Sequence, residues 1–232
     1  MSYRSSMALR PVLRRLGDWV VPGIPRVRAQ AEPFARAWRD ANSVALSEAG
    51  PIWVALGDSM SQGIGAADIR GGWVGQLHDR LSAQGHPLRL VNLSVTGAGV
   101  HSVLTAQLPQ VGSLEPLALV TVLVGANDML SRRRRRAAVG QFAALLSRLP
   151  AEQTVVATLP RRNHEARAIN ALIERAAAEG HIRVADMRTL TLRSILGGLA
   201  EDFFHPNERG YAFIADVFAR AIDDSLSPGR PL

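Results

Sequence analysis

The 232-residue sequence contains no cysteine and no lysine, because all 27 of its Lys and Arg positions are arginine. The lack of cysteine excludes disulfides, thiol nucleophiles, iron–sulfur clusters and cysteine zinc sites. The lack of lysine excludes a Schiff base, a serine–lysine dyad and a P-loop lysine beneath a phosphate. Covalent chemistry is therefore left mainly to a carboxylate, or to a serine or threonine acting with one of the six histidines.

Long apolar runs are also missing. The longest, residues 117–124, is broken by Thr121 and is far shorter than the ~20 residues that span a bilayer. No apolar segment with a small-residue cleavage site follows the N-terminal arginines, so no secretory signal is recognised. We therefore expect a cytoplasmic protein, with peripheral membrane contact as a further option. With 47% hydrophobic and 20% charged residues, the composition is that of a folded globular protein.

The net charge of +7 is concentrated in two places. Residues 1–40 carry eight arginines against three acidic side chains, and residues 132–136 are five consecutive arginines. The rest of the chain is mildly acidic. No nucleic-acid-binding motif accompanies either basic region, and only 5% of residues are aromatic, so we expect no nucleic-acid partner.

Residues 1–50 are predicted to form a basic N-terminal extension that contains an amphipathic helix. One helical stripe collects the apolar side chains of Leu9, Val12, Leu13, Leu16, Trp19 and Val20. Pro22 and Pro25 are expected to end this helix, and a second short helix over residues 34–40 is expected to follow. Two interpretations of the stripe stay open: contact of residues 7–20 with an anionic membrane surface, or packing on the remainder of the chain.

Residues 51–232 are predicted to form one α/β domain, because short apolar runs alternate with helical patterns. The predicted strands cover residues 51–56, 88–93, 118–124, 154–159 and 182–185, and the predicted helices cover residues 73–83, 101–108, 137–149, 167–178 and 208–226. Strands joined by crossover helices give a three-layer α/β/α sandwich with a five-stranded parallel sheet. In such sheets ligands bind beyond the carboxyl ends of the strands.

Polar or glycine residues follow the first three predicted strands at that edge. Ser59, two residues after Gly57, is expected near the start of a helix, where backbone N–H groups point toward developing negative charge. Gly97 allows a backbone N–H to approach a ligand closely, and the Asn127 amide could donate to an oxyanion. Each also has a simpler interpretation, which is a helix N-cap for Ser59 and a turn for Gly97 and Asn127.

A fourth motif places Asp202 three residues before His205. If the segment forms one turn, Asp202 can hold one ring nitrogen of His205 while the other nitrogen accepts a proton from a nucleophile. The same spacing is also common in surface turns. No third ligand lies nearby in the sequence, so neither a metal site nor a cofactor is expected.

Together, these four motifs resemble the SGNH hydrolases, also called GDSL-type esterases and lipases. The resemblance covers about residues 51–225 and consists of Gly57-Asp-Ser-Met60, Gly97, Gly125-Ala-Asn-Asp128 and Asp202-Phe-Phe-His205. Met60 replaces the leucine of the family's name, at a position that does no chemistry. The resemblance implies the flavodoxin-like SGNH hydrolase fold, and a serine esterase or lipase that forms an acyl-enzyme.

The resemblance also implies a role for each residue. Ser59 would be the nucleophile, His205 the general base, and Asp202 the group that orients the imidazole. The oxyanion hole would comprise the N–H groups of Ser59 and Gly97 with the Asn127 side chain, while Asp128 would brace the surrounding loops. The substrate would be a small-molecule or lipid ester; a thioester or a carbohydrate acetyl group, and the oligomeric state, stay open. A non-catalytic anion-binding module is the alternative from another class, although it would not need the Asp–His pair.

Two further features lie close to these motifs in the sequence. The arginines at 132–136 begin five residues after Asn127, within ~18 Å even for extended chain, so they could attract phosphate or carboxylate groups at the mouth of the site. Alternatively they form a solvated helical surface. The other five histidines are interpreted as ordinary side chains, and His101 is the second candidate because it follows Gly97 by four residues.

Overall fold

Five parallel strands form one sheet in the order β2-β1-β3-β4-β5. The computed structural model describes residues 22–160, 163–190 and 197–226, with side chains up to residue 223. The strands are β1 (Ile52–Gly57), β2 (Arg89–Asn92), β3 (Leu117–Leu123), β4 (Thr154–Ala157) and β5 (Arg183–Ala185). All five lie where the sequence predicts them, with boundaries that differ by two residues or fewer.

Strand β1 lies inside the sheet, with Val54 paired to Val91 of β2 on one side and to Val120 of β3 on the other. Every residue of β1 is buried, as expected for a strand that is covered on both faces. One face packs on a layer that includes Phe142. The opposite face packs on Trp73 and Phe218, whose stacked rings have centroids 4.1 Å apart. The predicted three-layer sandwich is therefore confirmed.

Eight helical elements surround the sheet in the described ranges, in addition to two short 3₁₀ turns. They are α1 (Gly23–Ala29), α2 (Ala31–Ser47), α3 (Ser59–Gln62), α4 (Trp73–Ala83), α5 (Val100–Ser102, π-helical Val103–Gln107 and Leu108–Val111), α6 (Arg132–Leu146), α7 (His164–Ala178) and α8 (Glu208–Leu226). The predicted bounds of α4 and α8 are confirmed. No helix in these ranges has both the length and the hydropathy needed to cross a membrane.

Helix α6 begins five residues earlier than predicted, so the arginine run forms its first turn and a half. Ser131 caps the helix, because its side chain accepts a hydrogen bond from the backbone N–H of Arg134 at 3.2 Å. Arginine is also a good helix former. The apolar periodicity on which the prediction relied starts only after the run.

The N-terminal region contacts the sheet through α2, which is longer than the predicted helix over residues 34–40. Asn42 hydrogen-bonds both backbone groups of Asn92 in edge strand β2, at 2.8 and 2.9 Å. Trp38 is buried and donates its indole N–H to the carbonyl of Gln62 at 3.0 Å. Helix α2 thus covers the edge of the sheet and supports the segment that follows β1.

The apolar stripe predicted over residues 7–20 lies outside the described residues, and so does its proposed membrane contact. The two prolines expected to end that helix stand at the beginning of α1, with Pro22 at the N-cap and Pro25 in the first turn. Proline is tolerated there because first-turn N–H groups have no partner within the helix.

Candidate active site

Ser59 lies at the junction of β1 and the one-turn helix α3. Asp58 caps this helix, accepting a hydrogen bond from the backbone N–H of Met60 at 3.0 Å. Ser59 is therefore the first helical residue, and its own N–H has no acceptor within the described ranges. Because the residue is only 5% exposed, this N–H has little access to bulk water.

The turn before α8 carries Asp202 and His205. One carboxylate oxygen of Asp202 accepts the backbone N–H groups of Phe204 and His205, each at 3.0 Å. Its other oxygen lies 2.6 Å from Nδ1 of His205. Nε2 of the same ring lies 3.0 Å from Oγ of Ser59. The structure thus brings the three predicted residues into one hydrogen-bonded chain.

The ionisation of Asp202 determines which ring nitrogen of His205 carries the proton. Burial by itself would raise the pKa of Asp202, but the hydrogen bonds from the His205 ring and from two backbone N–H groups outweigh it, so the pKa lies below its ordinary value. An ionised Asp202 accepts a hydrogen bond from Nδ1–H, so the ring proton stays on Nδ1 and Nε2 is the acceptor that faces Ser59.

Gly97 lies at the tip of a turn that is closed by a 2.9 Å hydrogen bond from Ala98 N–H to the carbonyl of Val95. Its φ of +82° belongs to the left-handed region, which explains why glycine occupies this position. The N–H of Gly97 has no partner within the described ranges. It is therefore available to a ligand, like that of Ser59.

Asn127 connects these two segments. Its side-chain amide donates to the carbonyl of Ala98 at 2.9 Å and, at a long 3.4 Å, to the carboxyl group of Asp58. The second bond is weak at this length, so an oxyanion could replace it. The predicted oxyanion donors Ser59, Gly97 and Asn127 are thereby brought to the same edge of the sheet as the His205 ring.

Asp128 connects the loops after β2 and β3, as predicted for a bracing residue. Its carboxyl group accepts the backbone N–H of Val100 at 3.0 Å, at the start of α5. No group of three or more His, Cys, Asp or Glu side chains suited to a metal ion occurs in the described part of the chain. His101 is exposed, and no hydrogen bond connects its ring to Ser59 there.

Two glutamines near the site were missed by the sequence analysis. Gln107, in the π-helical part of α5, hydrogen-bonds both the N–H and the carbonyl of Gly57 at 2.9 Å each. Gln62 donates to the carbonyl of Ser94 and accepts the N–H of Thr96. Both side chains fix the backbone beside Ser59 or Gly97. The available signal was a polar residue at position 107 between the apolar positions 103 and 111 of one helical stripe.

Asp58 is a buried acid next to Ser59, and its ionisation predicts a pH-dependent stability. Burial, together with the charge of Asp128, raises its pKa from 3.8 to about 7, although the hydrogen bond from Met60 N–H opposes the rise. The stability that the neutral acid contributes is thus complete below about pH 4 and is lost as the pH rises through 7. We expect Asp58→Asn to gain stability relative to the wild type over this window, by up to about 4 kcal/mol.

Urea unfolding of both proteins at pH 4, 5.5, 7 and 8 measures this difference. Since all other titrating groups are shared, the difference isolates Asp58. A gap between the two proteins that is constant from pH 4 to 8 would contradict a buried acid with a raised pKa.

Gly65 allows the segment after α3 to pass close to the turn that carries Asp202 and His205. Its φ is +105°, and a Cβ there would collide with the carbonyl oxygen of Pro206 and lie 3.0 Å from Cβ of His205. Gly65→Ala is expected to displace His205 and to lower kcat by about tenfold or more, because small misplacements of catalytic groups are costly.

Gly85→Ala is the matched control for this variant. Gly85 has a similar φ of +86°, but a Cβ at this position would meet no atom within 4 Å. Both variants should lose about 1–2 kcal/mol of stability from backbone strain. An unchanged kcat in Gly65→Ala, measured below its melting temperature, would show that the close contact does not position His205.

Comparison with known proteins agrees with the four motifs. Residues 55–213 match the GDSL-like Lipase/Acylhydrolase family. Esterase TesA of Pseudomonas aeruginosa is 40% identical over 75 residues, which is 32% of this chain and 36% of that protein. The aligned region thus spans about a third of that relative's length.

Solved structures resemble this fold at lower identity. Esterase EstA from Pseudoalteromonas sp., inhibited by monoethylphosphonate, has a TM-score of 0.62 and 20% identity, with 76% of this chain and 99% of that chain covered. A family 3 carbohydrate esterase of Clostridium thermocellum has a TM-score of 0.60 and 17% identity, with 75% and 96% covered. These likenesses concern the fold. The match over residues 55–213, which contains the entire site, shows that the chain belongs to the GDSL-like lipase/acylhydrolase family.

Proposed function

We propose that this protein hydrolyses carboxylic esters through an acyl-enzyme on Ser59. The observation that carries the proposal is the hydrogen-bonded chain from Asp202 through His205 to Ser59, with contacts of 2.6 and 3.0 Å. A non-catalytic anion-binding module would need the N–H groups at the sheet edge but not this chain. The same arrangement of acid, imidazole and hydroxyl supports nucleophilic catalysis on unrelated folds.

In the first half of the reaction, Oγ of Ser59 attacks the carbonyl carbon of the ester while Nε2 of His205 takes the hydroxyl proton. The carbonyl oxygen becomes an oxyanion that accepts hydrogen bonds from the N–H groups of Ser59 and Gly97 and from the Asn127 amide. The carboxylate of Asp202 stabilises the imidazolium. His205 then gives the proton to the leaving alcohol oxygen, and the acyl-enzyme forms.

In the second half, a water molecule replaces the alcohol. His205 removes a proton from this water as its oxygen attacks the acyl carbon, and the same three donors stabilise the second oxyanion. Collapse of this intermediate breaks the bond to Oγ, and His205 returns a proton to Ser59. The products are a carboxylic acid and the free enzyme, and no metal or cofactor takes part in these steps.

The chemistry also permits thioesters and the O-acetyl groups of carbohydrates, because both have an acyl carbon that Ser59 could attack. A substrate panel separates these cases: p-nitrophenyl esters with acyl chains of 2 to 12 carbons, an acyl thioester and an acetylated oligosaccharide. We expect the ester to have the highest kcat/KM. If no member of the panel is hydrolysed by the folded protein, the proposed function is wrong. If the thioester or the acetylated sugar is preferred, the proposed substrate class is wrong, but the assignment of the site residues is kept.

Peripheral contact of residues 7–20 with an anionic membrane also stays a proposal, supported by the basic, apolar-striped sequence alone. Since α2 is packed on the sheet, the suitable variant lacks residues 1–21 only. Co-sedimentation with anionic liposomes should fall in this variant, and undiminished binding would exclude the anchor.

A further inference from the structure

Most of the large apolar side chains that are exposed in the described ranges lie next to the catalytic residues in sequence. Val95 is 52% exposed and lies two residues before Gly97, while Leu130 is 61% exposed and lies three residues after Asn127. Phe203 and Phe204, next to His205, are 74% and 39% exposed. We call these four side chains the apolar rim. Exposed apolar groups gathered at a site are typical of a surface that binds an apolar ligand.

The Phe204 ring also contacts the catalytic machinery directly. It lies edge-on against the His205 ring, with centroids 4.9 Å apart. An acyl chain on this side of the rim would therefore lie beside the imidazole, and the rim is in contact with the reacting groups on at least this side.

A cationic surface continues the rim from Leu130. Arg132, Arg133, Arg134 and Arg136 are exposed on the first turn and a half of α6, and we call these four the arginine surface. None of them forms an ion pair with an acidic side chain in the described part of the chain. No carboxylate in the described ranges therefore neutralises them through a direct ion pair.

This arrangement is unfavourable for the helix itself. Positive charge near a helix N-terminus opposes the helix dipole, and like charges three or four residues apart repel each other. Helix α6 contains no acidic residue that would relieve the repulsion. Residues that destabilise the helix on which they lie are expected mainly at functional surfaces.

The arginine surface lies within electrostatic range of the site. The 3₁₀ turn Asp128–Leu130 leads directly into α6, with Ser131 as the cap between them. Burial raises the pKa of Asp128, whereas the hydrogen bond from Val100 N–H and the charge of Arg134 oppose that rise. Asp128 directly follows Asn127, and its carboxyl group holds the backbone just beyond Gly97. The charge of Arg134 thus acts on a carboxyl group that directly follows the proposed oxyanion donor Asn127.

We propose that the preferred substrates are anionic amphiphiles, whose apolar chain contacts the rim and whose phosphate, sulfate or carboxylate group binds the arginine surface. This inference rests on the proposed ester hydrolysis and names its substrate class. Guanidinium groups bind such oxyanions through paired N–H donors, with better geometry than an ammonium group provides. The arrangement selects the ester by its charge and leaves the chemistry at Ser59 unchanged.

The test compares three dodecanoyl esters that share the acyl chain, namely those of choline, glycerol and glycerol 3-phosphate. The kcat/KM of each is measured below its micelle-forming concentration. The wild type should prefer the phosphate ester over the glycerol ester by about tenfold or more, and this preference should decline as salt is added. Arg132→Gln/Arg133→Gln/Arg134→Gln should remove the preference while keeping hydrolysis of the glycerol ester within about twofold.

The matched control is Arg36→Gln/Arg148→Gln/Arg220→Gln, which removes the same total charge from three exposed arginines elsewhere. Arg36 is on α2, Arg148 follows the C-terminal end of α6, and Arg220 is on α8. It should keep the preference. The melting temperature of the first variant should equal or exceed that of the wild type, because repulsion in α6 is relieved. This readout separates lost recognition from a damaged fold.

Three outcomes would overturn the inference. The wild type could hydrolyse the glycerol and phosphate esters equally well, in which case ester hydrolysis stands and the charge selection fails. The control variant could lose the preference too, which would show that the preference for the phosphate ester depends on the net charge of the protein. The preference could arise only above the micelle-forming concentration, which would assign it to a charged lipid surface. If none of the three esters is hydrolysed, it is the proposed function that fails.

Discussion

Replacing Ser59 by alanine is expected to lower kcat for ester hydrolysis by roughly 10⁴–10⁶-fold, while the protein keeps its fold. The reason is that, in the proposed mechanism, Oγ of Ser59 forms the acyl bond and its proton leaves along the hydrogen bond to His205. The residual rate would come from the oxyanion donors and from substrate binding. Steady-state kinetics with a p-nitrophenyl ester, together with a thermal melt, measures both properties.

Ser61→Ala is the matched control for this prediction. Ser61 is on the same one-turn helix and is fully buried, and its hydroxyl has no hydrogen-bond partner within the described ranges. Removing an unpartnered buried hydroxyl is expected to be neutral or slightly stabilising, so this variant should retain its activity. If the two alanine variants lose activity equally, the loss reflects damage to the helix and the nucleophile assignment is wrong.

Asp202→Asn is the prediction with the second-largest effect. The carboxylate fixes the His205 ring so that Nδ1 carries the proton and Nε2 faces Ser59. An asparagine can present its N–H₂ group to Nδ1 instead, which would move the ring proton to Nε2 and remove the base. We expect kcat to fall by about 10²–10⁴-fold, with KM changed much less, because the interaction matters mainly in the transition state.

The same carboxylate should also contribute to stability in a pH-dependent way. In the wild type, Asp202 with its lowered pKa contributes stability above the pKa of the unfolded chain, and this stability is lost as the pH falls through the folded value. Asp202→Asn should therefore be most destabilised near neutral pH and least in acid. Asp79→Asn, which removes a surface ion pair with Arg70, should change neither kcat nor its pH dependence. A variant of Asp202 with normal kcat at neutral pH would contradict the assignment.

The parts of the fold that follow from the sequence are those that local patterns determine. Strand β1 is predicted because a short apolar run ends at a glycine, and α8 because its apolar residues recur at helical spacing over 19 residues. The convergence of Ser59, Gly97 and Asn127 follows from one topological fact, that parallel strands place their carboxyl ends at the same edge.

Other features depend on contacts between distant residues, which a local pattern does not contain. The length of α2 is set by its packing on β2, where Asn42 bonds the backbone of Asn92. Gln107 and Gln62 hydrogen-bond backbone groups of distant segments, and a local sequence pattern does not show which groups these are. The start of α6 at Arg132 depends on the Ser131 cap and opposes the charge pattern, so apolar periodicity placed it five residues too late.

The proximity of Asp202 and His205 to Ser59 could be predicted from the family resemblance but not from spacing alone. The turn that holds them depends on Asp202 accepting two backbone N–H groups and on Phe203 adopting a φ of +55°. Non-glycine residues rarely adopt this conformation, so nothing in the local sequence favours it. The close approach of Gly65 to Pro206 and His205 allows the loop after α3 to pack against this turn.

The central claim, that Ser59 is the covalent nucleophile, is tested most directly by mass spectrometry after reaction with a phosphonate ester. This class of reagent is suitable because an activated serine hydroxyl attacks its phosphorus and keeps the phosphonyl group as a covalent adduct. Trypsin should release residues 40–70 as one peptide, because no arginine lies between Arg39 and Arg70. We expect one adduct per chain, and fragmentation should locate it on Ser59. The labelled fraction should rise in proportion to the loss of activity, and Ser59→Ala should carry no adduct. Loss of activity with the adduct on another residue, or full labelling of Ser59→Ala, would contradict the account.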